Sequence, residues 1–475
     1  MKTLLIQPPL LLSDLYGDLA AAGSELAPQG LCSLATIARQ KHYDVSILDA
    51  AALKLTADET IQHILEIEPD IVGFTLYTIF VDAVQYITSE LKKRYHGKGK
   101  NIITLVGGSH ATLSGSKVLQ ESPSFDMACI GEGEVTFPAI LDAIINDKDL
   151  KDVSGIVFRD KSGNIDATGK RPLLSDLDSL PFPDWSLLPE LKKYYRPAGD
   201  SIKRSPSAGL VTSRGCSGKC YFCFPWQLGK TIRYHSASYV YGMFLDLIEN
   251  YGIRDIYIQD DTFVMNKDNV IEFCNILIKE NVDVTWACHG RIDHLDRELL
   301  QSMKKSGCWQ VSLGIESGSN KILKTINKGT TVEQNFEALN LCKEVGIDVK
   351  GLFMIGSFGE NHETIEETKS FINKAYLTDF HMSFFTPLAG TAAIKIWHKY
   401  GHFDPSKGSF LTKSPSFIPF DLTEEELVHF RKLILKKFYL RPRIIRNYLL
   451  KLFLLRNSSK IMLSAVAFLK YVYRK

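Results

Sequence analysis

The first third of the chain alternates short apolar runs with segments in which apolar residues recur every three or four positions. The runs, each about as long as a buried strand, are Thr3–Gln7, Asp44–Asp49, Ile71–Thr78, Ile102–Gly108 and Met127–Gly131. The segments with helical spacing include Gly30–Lys41, Thr56–Ile67 and Val81–Arg94. Apolar runs joined by helices are typical of a parallel sheet that is covered on both faces. Residues 1–148 are therefore predicted to form a doubly wound α/β domain.

The same alternation returns in the second half of the chain. Residues 149–204 include a stretch rich in Pro and Asp and are predicted to be a linker with one hairpin. Residues 205–390 contain six predicted strands, at Ala208–Thr212, Asp255–Gln259, Val284–His289, Gln310–Ile315, Val349–Ile355 and Met382–Phe385. The helical segments among them include Val240–Tyr251, Lys267–Glu280, Arg297–Ser306 and Thr331–Val345. Six βα units predict a partial (β/α)6 barrel with its reactive residues at the carboxyl ends of the strands.

Composition and charge narrow the class of protein. The chain is 45% hydrophobic and 23% charged, which excludes a disordered, collagen-like or low-complexity protein. Its net charge of +2 is unevenly distributed: residues 431–475 contain 13 Lys and Arg and no Asp or Glu. The rest of the chain carries 43 basic against 54 acidic residues, which argues against nucleic-acid binding.

The basic end of the predicted helical region 391–475 has two interpretations. Its Lys and Arg residues are mixed with the apolar clusters Leu433–Leu435, Tyr448–Leu455 and Ile461–Leu469. Basic amphipathic helices rest on anionic membrane surfaces, which would suit a lipid-like substrate. The alternative is a helical cap whose apolar face covers the barrel. No run reaches the ~20 apolar residues of a spanning helix, and no signal-peptide pattern precedes the first strand. We therefore expect a cytoplasmic protein, with at most peripheral membrane contact.

Three of the nine cysteines lie within eight residues, directly after the first predicted strand of the barrel. Cys216, Cys220 and Cys223 have spacings of four and three residues, so their thiolates can surround one face of a cubane iron–sulfur cluster. Such clusters normally take four cysteines, and three would leave one iron open to another ligand. A structural zinc site would want a fourth Cys or His, and the next histidine is His235. The cluster is therefore the favoured interpretation.

The segment Cys216-x3-Cys220-x2-Cys223, with Phe222 before the last cysteine, resembles the signature of the radical S-adenosylmethionine (SAM) superfamily. The resemblance covers about residues 205–390. It implies a [4Fe–4S] cluster whose open iron chelates the amino and carboxylate groups of SAM. It also implies reductive cleavage of SAM to a 5′-deoxyadenosyl radical that abstracts a hydrogen atom, with an electron donor such as flavodoxin or ferredoxin.

The resemblance implies further SAM-binding candidates at the ends of the predicted strands. Asp260 and Asp261 stand where the family has a Gly-Gly-Glu motif for the SAM amino group, although the glycines are missing. For each candidate, a structural salt bridge or a helix cap is the alternative. The full set of SAM-binding candidates is Phe222, Asp260, Asp261, Arg291, Glu316 and Gly356.

The amino-terminal domain resembles that of the cobalamin-binding radical SAM proteins. The linker segment Leu177–Trp185 and the late segment Phe438–Arg443 also look like members related to the anaerobic magnesium-protoporphyrin ester cyclase. The cobalamin-binding candidates are Thr75, Gly107, Gly108, His110, Gly131, Glu132 and Gly133. For His110 the alternative is a helix cap.

One departure from the cobalamin pattern changes the expected chemistry. Cobalamin domains that supply a lower-axial histidine carry Asp-x-His-x-x-Gly after the second strand. Here the equivalent residues run from Asp49 to Lys54, with Ala51 in place of the histidine. The resemblance then implies cobalamin without a histidine ligand from this motif, which favours four-coordinate cob(I)alamin, a strong methyl acceptor. A domain that kept the fold and lost the cofactor is the alternative.

These features lead to one favoured function and three alternatives. The favoured function is methylation of an unactivated carbon with two equivalents of SAM, through methylcobalamin and the deoxyadenosyl radical. The first alternative keeps both cofactors but forms a ring, a C–O bond or a C–C bond without methyl transfer. The second is a radical enzyme without cobalamin, and the third is a non-catalytic cobalamin or redox sensor. The sequence does not identify catalytic residues or the substrate, a small molecule or a lipid-like compound.

Overall fold

The computed structural model describes residues 1–16, 20, 23–198, 201–224, 231–407, 414–454, 466–468 and 471. The chain divides into two compact units. The first contains residues 1–11 and 27–194, and the second contains the described parts of 12–26 and of 195–475.

The strands and helices are numbered in chain order. The strands are β1 (Lys2–Gln7), β2 (Asp44–Asp49), β3 (Ile71–Thr75), β4 (Ile103–Gly107), β5 (Met127–Cys129), β6 (Ile156–Arg159), β7 (Ile165–Ala167), β8 (Ser207–Leu210), β9 (Ser213–Arg214), β10 (Arg233–Tyr234), β11 (Asp255–Ile258), β12 (Thr285–Gly290), β13 (Cys308–Glu316), β14 (Asp348–Ile355), β15 (Asp379–Phe384), β16 (Gly401–Phe403) and β17 (Phe417–Pro419). The helices are α1 (Leu12–Tyr16), α2 (Gln29–Gln40), α3 (Ala57–Ile67), α4 (Val81–Gly97), α5 (Ser109–Ser114), α6 (Lys117–Gln120), α7 (Gly133–Ile145), α8 (Leu191–Tyr194), α9 (Ala237–Glu249), α10 (Lys267–Lys279), α11 (Arg297–Lys305), α12 (Asn320–Thr325), α13 (Val332–Val345), α14 (His362–Lys374), α15 (Ala393–Ile396), α16 (Glu424–Tyr439) and α17 (Pro442–Leu454).

The first unit is built on a sheet in the order β2-β1-β3-β4-β5-β6-β7. The strands β1 to β5 run parallel, and the hairpin β6–β7 continues the sheet in antiparallel fashion from β5. Successive residues of β1 enter different cores: Leu4 and Ile6 pack with α3 and α4, and Leu5 packs with α2 and α7. This alternation explains the continuous apolar run, since both faces of the sheet are buried.

The sheet of the first unit defines where a ligand can bind. Strand β1 lies between β2 and β3, so the connections from β1 and from β3 leave in opposite directions along the sheet. Open parallel sheets bind ligands beyond the carboxyl ends of the strands at such a switch point. The loops that follow β3, β4 and β5 lie at that edge.

The second unit is built on an all-parallel sheet in the order β8-β11-β12-β13-β14-β15. The end strands β8 and β15 each pair on one side only within this sheet, so it is an open partial barrel. On its helix-covered face, Trp286 of β12 packs edge-on against Phe263 and Phe273. The predicted fold class is confirmed for both sheets.

The helices α16 and α17 pack along the end strand β15. Phe438 lies over the ring of Phe380, with ring centroids 4.5 Å apart. Tyr439 donates from its hydroxyl to the carboxylate of Asp379 at 2.6 Å. Most of the predicted apolar cluster Ile461–Leu469 lies outside the described residues. Among the described helices, none combines the length and apolar character that a membrane crossing requires.

Candidate functional site

The cysteine triad lies in a loop whose base is closed by a short ribbon. Strands β9 and β10 pair antiparallel, so that Ser213 stands opposite Tyr234. The residues just before and just after the cysteine loop therefore lie side by side. Cys216 is half-buried, Cys220 is buried and Cys223 is exposed. The ribbon holds this loop at the carboxyl end of β8, the edge at which barrel enzymes carry their active groups.

Local hydrogen bonds wind the cysteine loop tightly. Gly215 adopts a φ of +94°, which favours glycine. Gly218 donates its N–H to the sulfur of Cys216 at 3.3 Å, and Cys223 donates its N–H to the carbonyl of Cys220 at 3.2 Å. Desolvation, followed by the neighbouring Cys220, Asp261 and Cys216, raises the pKa of the Cys223 thiol to about 12. The thiol form of Cys223 is therefore favoured by its surroundings, chiefly by loss of contact with water.

A second segment, Ile326–Lys328, braces the cysteine loop. Tyr221 donates its N–H to the carbonyl of Ile326 at 3.0 Å. Asn327 donates its side-chain amide to the carbonyl of Lys219 at 2.8 Å. Phe222 packs beside this brace against an aromatic cluster that includes Phe358. No motif in the sequence points to Asn327, since its role depends on a contact across 108 residues.

Asp260 ties the end of β11 to the end of β8. Its carboxylate accepts from the Thr212 N–H at 2.5 Å, from the Thr212 hydroxyl at 2.6 Å and from the Ser213 hydroxyl at 2.7 Å. Burial raises the pKa of Asp260 to about 6, against the opposing effect of these hydrogen bonds. The side chain of Asp261 is accessible to solvent and accepts the backbone N–H of Gly215. Protein atoms crowd its carboxylate, and the resulting partial desolvation raises its pKa. The two predicted carboxylates thus have different surroundings, and Asp261 is the more accessible one.

Glu316 and Arg291 follow neighbouring strands and meet at Lys328. Glu316 has a left-handed backbone with a φ of +66°, and its carboxylate accepts from Lys328 Nζ at 2.8 Å. Arg291 donates to the carbonyl of Lys328 at 3.2 Å and forms a two-point ion pair with Asp293. Its remaining nitrogen, Nη1, lies 3.9 Å from the sulfur of Cys220. Lys328 connects these groups and was not predicted from the sequence.

Gly356 begins a turn that is closed by a buried carboxylate. Glu360 accepts the backbone N–H of Gly356 and, at 3.0 Å, the N–H of Ser357. Burial raises the pKa of Glu360 to about 7, opposed by these two hydrogen bonds. The hydroxyls of Ser357 and of Thr262, which follows Asp261, are buried and have no hydrogen-bond partner among the described residues. Buried hydroxyls of this kind at the carboxyl edge are available to a bound ligand.

Below this edge, the interior of the barrel contains a polar layer. The hydroxyl of Tyr257 lies 2.7 Å from His289 Nε2 and 3.1 Å from the hydroxyl of Ser312. Burial, and then the charge of Lys350, lower the pKa of His289 to about 4. The imidazole is therefore neutral at physiological pH. The floor beneath the candidate SAM residues thus offers uncharged hydrogen-bonding groups.

In the first unit, backbone contacts join the loops after β3 and β4. Leu76 donates to the carbonyl of Gly107 at 2.6 Å, and His110 donates its N–H to the carbonyl of Leu76 at 3.0 Å. Gly108 has a φ of +119°, and a Cβ there would stand 3.0 Å from the carbonyl oxygen of Leu76. The His110 ring reaches the hydroxyl of Thr78 at 3.1 Å, and burial lowers its pKa. His110 is in the first turn of α5.

The loop after β5 joins the same edge. Gly131 has a φ of +88° and donates its N–H to the Thr112 hydroxyl at 3.0 Å, with open space where a side chain would begin. Glu132 precedes α7 and accepts the N–H of Leu174 at 2.9 Å. Gly133 lies against Leu34, since a Cβ there would stand 2.9 Å from its methyl group. With Thr75 at the end of β3, the predicted residues of this unit lie on three adjacent strand ends.

Two sequence profiles match the two units. The B12 binding domain profile matches residues 17–141, and the Radical SAM superfamily profile matches residues 210–372. A protein of Pyrococcus horikoshii named uncharacterized methyltransferase PH0819 is 32% identical over 94% of this chain and 94% of its own length. The chain belongs to the radical SAM superfamily, in the group that carries a B12 binding domain. The resemblance inferred from the sequence is confirmed.

The chain is also similar to a second curated protein and to a solved structure. The anaerobic magnesium-protoporphyrin IX monomethyl ester cyclase of Rubrivivax gelatinosus is 28% identical over 89% of this chain and 77% of its own length. The solved structure of the cobalamin-dependent SAM radical enzyme OxsB, with aqua-cobalamin and SAM bound, is similar in fold with a TM-score of 0.67. That match has 21% identity and covers 80% of this chain and 53% of the OxsB chain.

Membership in this group fixes the cofactors of the radical SAM chain. They are a [4Fe–4S] cluster and SAM, which the radical SAM domain uses, and cobalamin, for which the amino-terminal domain is named. Within the described parts of the chain, no three His, Cys, Asp or Glu side chains are arranged to hold one metal ion.

Proposed function

We propose that this enzyme methylates an unactivated carbon of a small substrate. When bound, the cluster and SAM supply a carbon-centred radical, and cobalamin supplies a methyl carrier. The observation that carries the proposal is the pairing, in one chain, of the cysteine triad with a cobalamin-type edge that has Ala51 where a histidine ligand would stand. The similarity to a protein named as a methyltransferase supports it.

Cys216, Cys220 and Cys223 are the proposed ligands of the cluster. The three thiols stand on one eight-residue segment, and three cysteines without a fourth ligand suit a cubane with one open iron. Thiols must lose their protons to bind iron, so cluster binding displaces protons and is weaker at low pH. The chain itself supplies the anchorage of the loop, through the β9–β10 ribbon and the segment Ile326–Lys328.

The proposed SAM contacts lie around the triad at the carboxyl edge of the barrel. Asp261 is the proposed partner of the SAM ammonium, since the oxygens of Asp260 are taken by Thr212 and Ser213. Glu316 is proposed to face the ribose, and Gly356 with the free hydroxyl of Ser357 to border the adenine. Phe222 is proposed to pack beside them. These residues bind and orient, and they move no proton in the proposal.

The proposed cobalamin contacts lie at the edge of the first unit. Thr75, Gly107, Gly108 and Gly131 provide backbone that a large ligand can approach closely, and His110 provides a neutral ring. Glu132 and Gly133 shape the start of α7 next to them. Asp49 is buried and caps the following turn by accepting the N–H of Ala52 at 2.9 Å, so it is not offered to a ligand.

The polar floor of the barrel favours a small polar substrate over a bare hydrocarbon. Tyr257, His289 and Ser312 hydrogen-bond one another, and a lining of such polar side chains suits a substrate with polar groups better than one without any. We propose that these side chains hold a hydroxyl, carbonyl or amide group of the substrate and thereby fix which carbon faces the radical. A single-electron donor such as a flavodoxin or ferredoxin is the proposed reductant.

The first test is the iron content of triad variants. Anaerobically reconstituted wild-type enzyme is expected to hold four iron atoms and to show the paramagnetic signal of a reduced cubane. Cys216→Ala, Cys220→Ala and Cys223→Ala should each lose this signal. Cys288→Ala and Cys308→Ala, at buried cysteines on the other face of the sheet, should keep it. A cubane signal that survives in the triad variants would refute the proposed ligands.

The second test follows the methyl group. The enzyme is incubated with methyl-labelled SAM, cobalamin and reductant, and label is sought in the corrin fraction together with S-adenosylhomocysteine. Label that stays entirely in methionine, with deoxyadenosine formed, would favour the second candidate, a radical reaction without methyl transfer. The similarity to the magnesium-protoporphyrin cyclase is the observation that keeps this candidate. Absence of any SAM cleavage by fully loaded enzyme would favour a sensor.

Peripheral membrane contact through the basic end of the chain is part of the proposal. On α17, Leu449 and Leu450 are 49% and 52% exposed, and Arg446 is exposed beside them, whereas Ile444 is buried on the opposite side. Binding to vesicles with 30% phosphatidylserine should weaken in Leu449→Asp/Leu450→Asp. It should persist in Ile278→Asp, which carries the same change at an exposed position of α10. Equal binding of both variants would leave only the helical-cap interpretation.

A further inference from the structure

The guanidinium of Arg291 is fixed in one orientation beside the cysteine loop. Nε and Nη2 donate to the two carboxylate oxygens of Asp293 at 3.0 and 2.9 Å. Nη2 donates a second time, to the carbonyl of Lys328, at 3.2 Å. A planar fork with these bonds has little freedom to rotate. Its last nitrogen, Nη1, is thereby directed toward Cys220 Sγ, 3.9 Å away.

Gly218 makes the close approach of Arg291 possible. A Cβ at position 218 would stand 2.9 Å from Nη1 of Arg291 and 3.3 Å from the sulfur of Cys216. The backbone of Gly218 thus lies between the first thiol and the guanidinium. Any larger residue would displace one of them. The glycine therefore serves the packing of the arginine as well as the turn of the loop.

The same arginine is linked to the brace of the loop. The carbonyl that it binds belongs to Lys328, next to Asn327, which holds the carbonyl of Lys219. Lys328 is itself fixed by its buried ion pair with Glu316. Arg291 is therefore part of a continuous set of contacts that ends on the second cysteine of the triad.

We infer that Arg291 is a positioning residue of the cysteine loop that raises the reduction potential of the cluster, and that it does not bind the SAM carboxylate. This inference rests on the proposed function, since it takes the triad as the cluster ligands. Reduction adds negative charge to a cluster, so a fixed cation beside a ligating sulfur stabilises the reduced form. A carboxylate needs two neighbouring donors for a two-point contact, but Nε and Nη2 are bound to Asp293 and Nη2 also donates to the Lys328 carbonyl, which leaves Nη1 alone.

The test compares redox titrations of reconstituted enzyme, followed by paramagnetic resonance, with SAM affinity measured by calorimetry. Arg291→Gln removes the cation and should make the midpoint potential more negative. Asp293→Asn removes the compensating carboxylate and should make it more positive. Arg291→Lys, which keeps the charge, should lie between Arg291→Gln and the wild type. Arg297→Gln is the matched control, because Arg297 of α11 forms a surface ion pair with Glu344 of α13.

Two outcomes would overturn the inference. One is an unchanged midpoint potential in both Arg291→Gln and Asp293→Asn. The other is a loss of SAM affinity of about tenfold or more in Arg291→Gln at unchanged potential, which would make the arginine a SAM ligand. Should Arg291→Gln fold and yet hold no iron while Arg297→Gln holds it, this result supports the positioning role. The midpoint potential is then measured on Arg291→Lys and Asp293→Asn. Failure of the proposed function is seen separately, as wild-type enzyme without a triad-dependent cubane.

Discussion

Lys328 Nζ lies 2.8 Å from Glu316 Oε1, and the two side chains are only 6% and 11% exposed. A buried ion pair of this kind contributes little net stability when intact, but breaking one half leaves a charge without a partner. The pair lies between the carboxyl end of β13 and the segment that braces the cysteine loop. Its loss should therefore affect the barrel at its functional edge.

We expect Lys328→Met to lower the free energy of unfolding by about 3–5 kcal/mol, since the Glu316 carboxylate would remain buried and unpaired. The double variant Lys328→Met/Glu316→Gln should regain much of this loss. Urea unfolding of the apoprotein, followed by tryptophan fluorescence, measures both. Lys267→Met, which breaks an exposed pair with Asp296 and Glu298, should cost less than about 1 kcal/mol. Equal costs at the two lysines would contradict the prediction.

The pKa of Glu360 predicts a specific dependence of stability on pH. Burial raises this pKa from 4.5 to about 7, so the folded state favours the protonated form. The stabilising contribution is complete below about pH 4.5 and is lost as the pH rises through 7. Glu360→Gln, which stays neutral, should therefore gain stability relative to the wild type between pH 5 and 8. Melting temperatures across this range measure the effect, and parallel curves for both proteins would contradict it.

The exposed Glu363, three residues further on, provides the control for this pH experiment. Glu363→Gln should follow the wild-type curve, because Glu363 is exposed to solvent in the first turn of α14, which begins two residues after Glu360. A difference between the two variants therefore reports burial at Glu360. It does not report a general change in net charge.

Substitutions at two glycines of the first unit allow the cost of backbone strain to be compared with the added cost of a steric clash. Gly131→Ala should cost about 1–2 kcal/mol, because the residue has a positive φ but open space around it. Gly108→Ala should cost more, since its Cβ would also press on the carbonyl of Leu76. Thermal unfolding measures the costs, and corrin absorbance after gel filtration measures cobalamin retention. Retention should fall further in Gly108→Ala, and the reverse order would contradict the proposed cobalamin edge.

The buried Arg431 connects the end strand β15 to Tyr471. Its Nε donates to the carbonyl of Met382 at 2.8 Å, and its Nη1 donates to the Tyr471 hydroxyl at 2.6 Å. Arg431→Met should destabilise the barrel by about 1–3 kcal/mol, because a buried carbonyl loses its donor. Tyr471→Phe should cost less, and both should speed proteolysis beside position 471. Cleavage at the wild-type rate in Arg431→Met would show that the bond between Arg431 and Tyr471 does not protect the chain at position 471.

The class of both sheets could be predicted because a strand buried on two faces needs a continuous apolar run. The run Asp44–Asp49 coincides with β2, whereas the run Ile71–Thr78 continues past the end of β3 at Thr75. The apolar pattern does not reveal that end, since residues 78–80 turn into a short helix whose apolar side is also buried. The pairing of β6 with β5 was not predicted, because local periodicity does not encode the partner of a strand.

The sequence suggested the residues of the candidate site but not their contacts. Spacing pointed to the cysteine triad, and the resemblance to the radical SAM family, together with the predicted strand ends, pointed to Asp260 and Arg291. Their partners could not be inferred, because Asp260 meets residues 48 positions away and Arg291 meets Cys220 across 71 positions. Lys328 was missed for the same reason, since a lysine before a glycine in a turn is ordinarily a solvated residue.

The bond network of Asp260 bears on how far the fold depends on its cluster. Thr212 and Ser213 both bind the Asp260 carboxylate, so hydrogen bonds within the protein hold the strand end that leads into the cysteine loop. Small zinc-dependent modules, by contrast, unravel once their ion leaves. Protein that has lost its cluster should therefore remain folded and able to take up a new one.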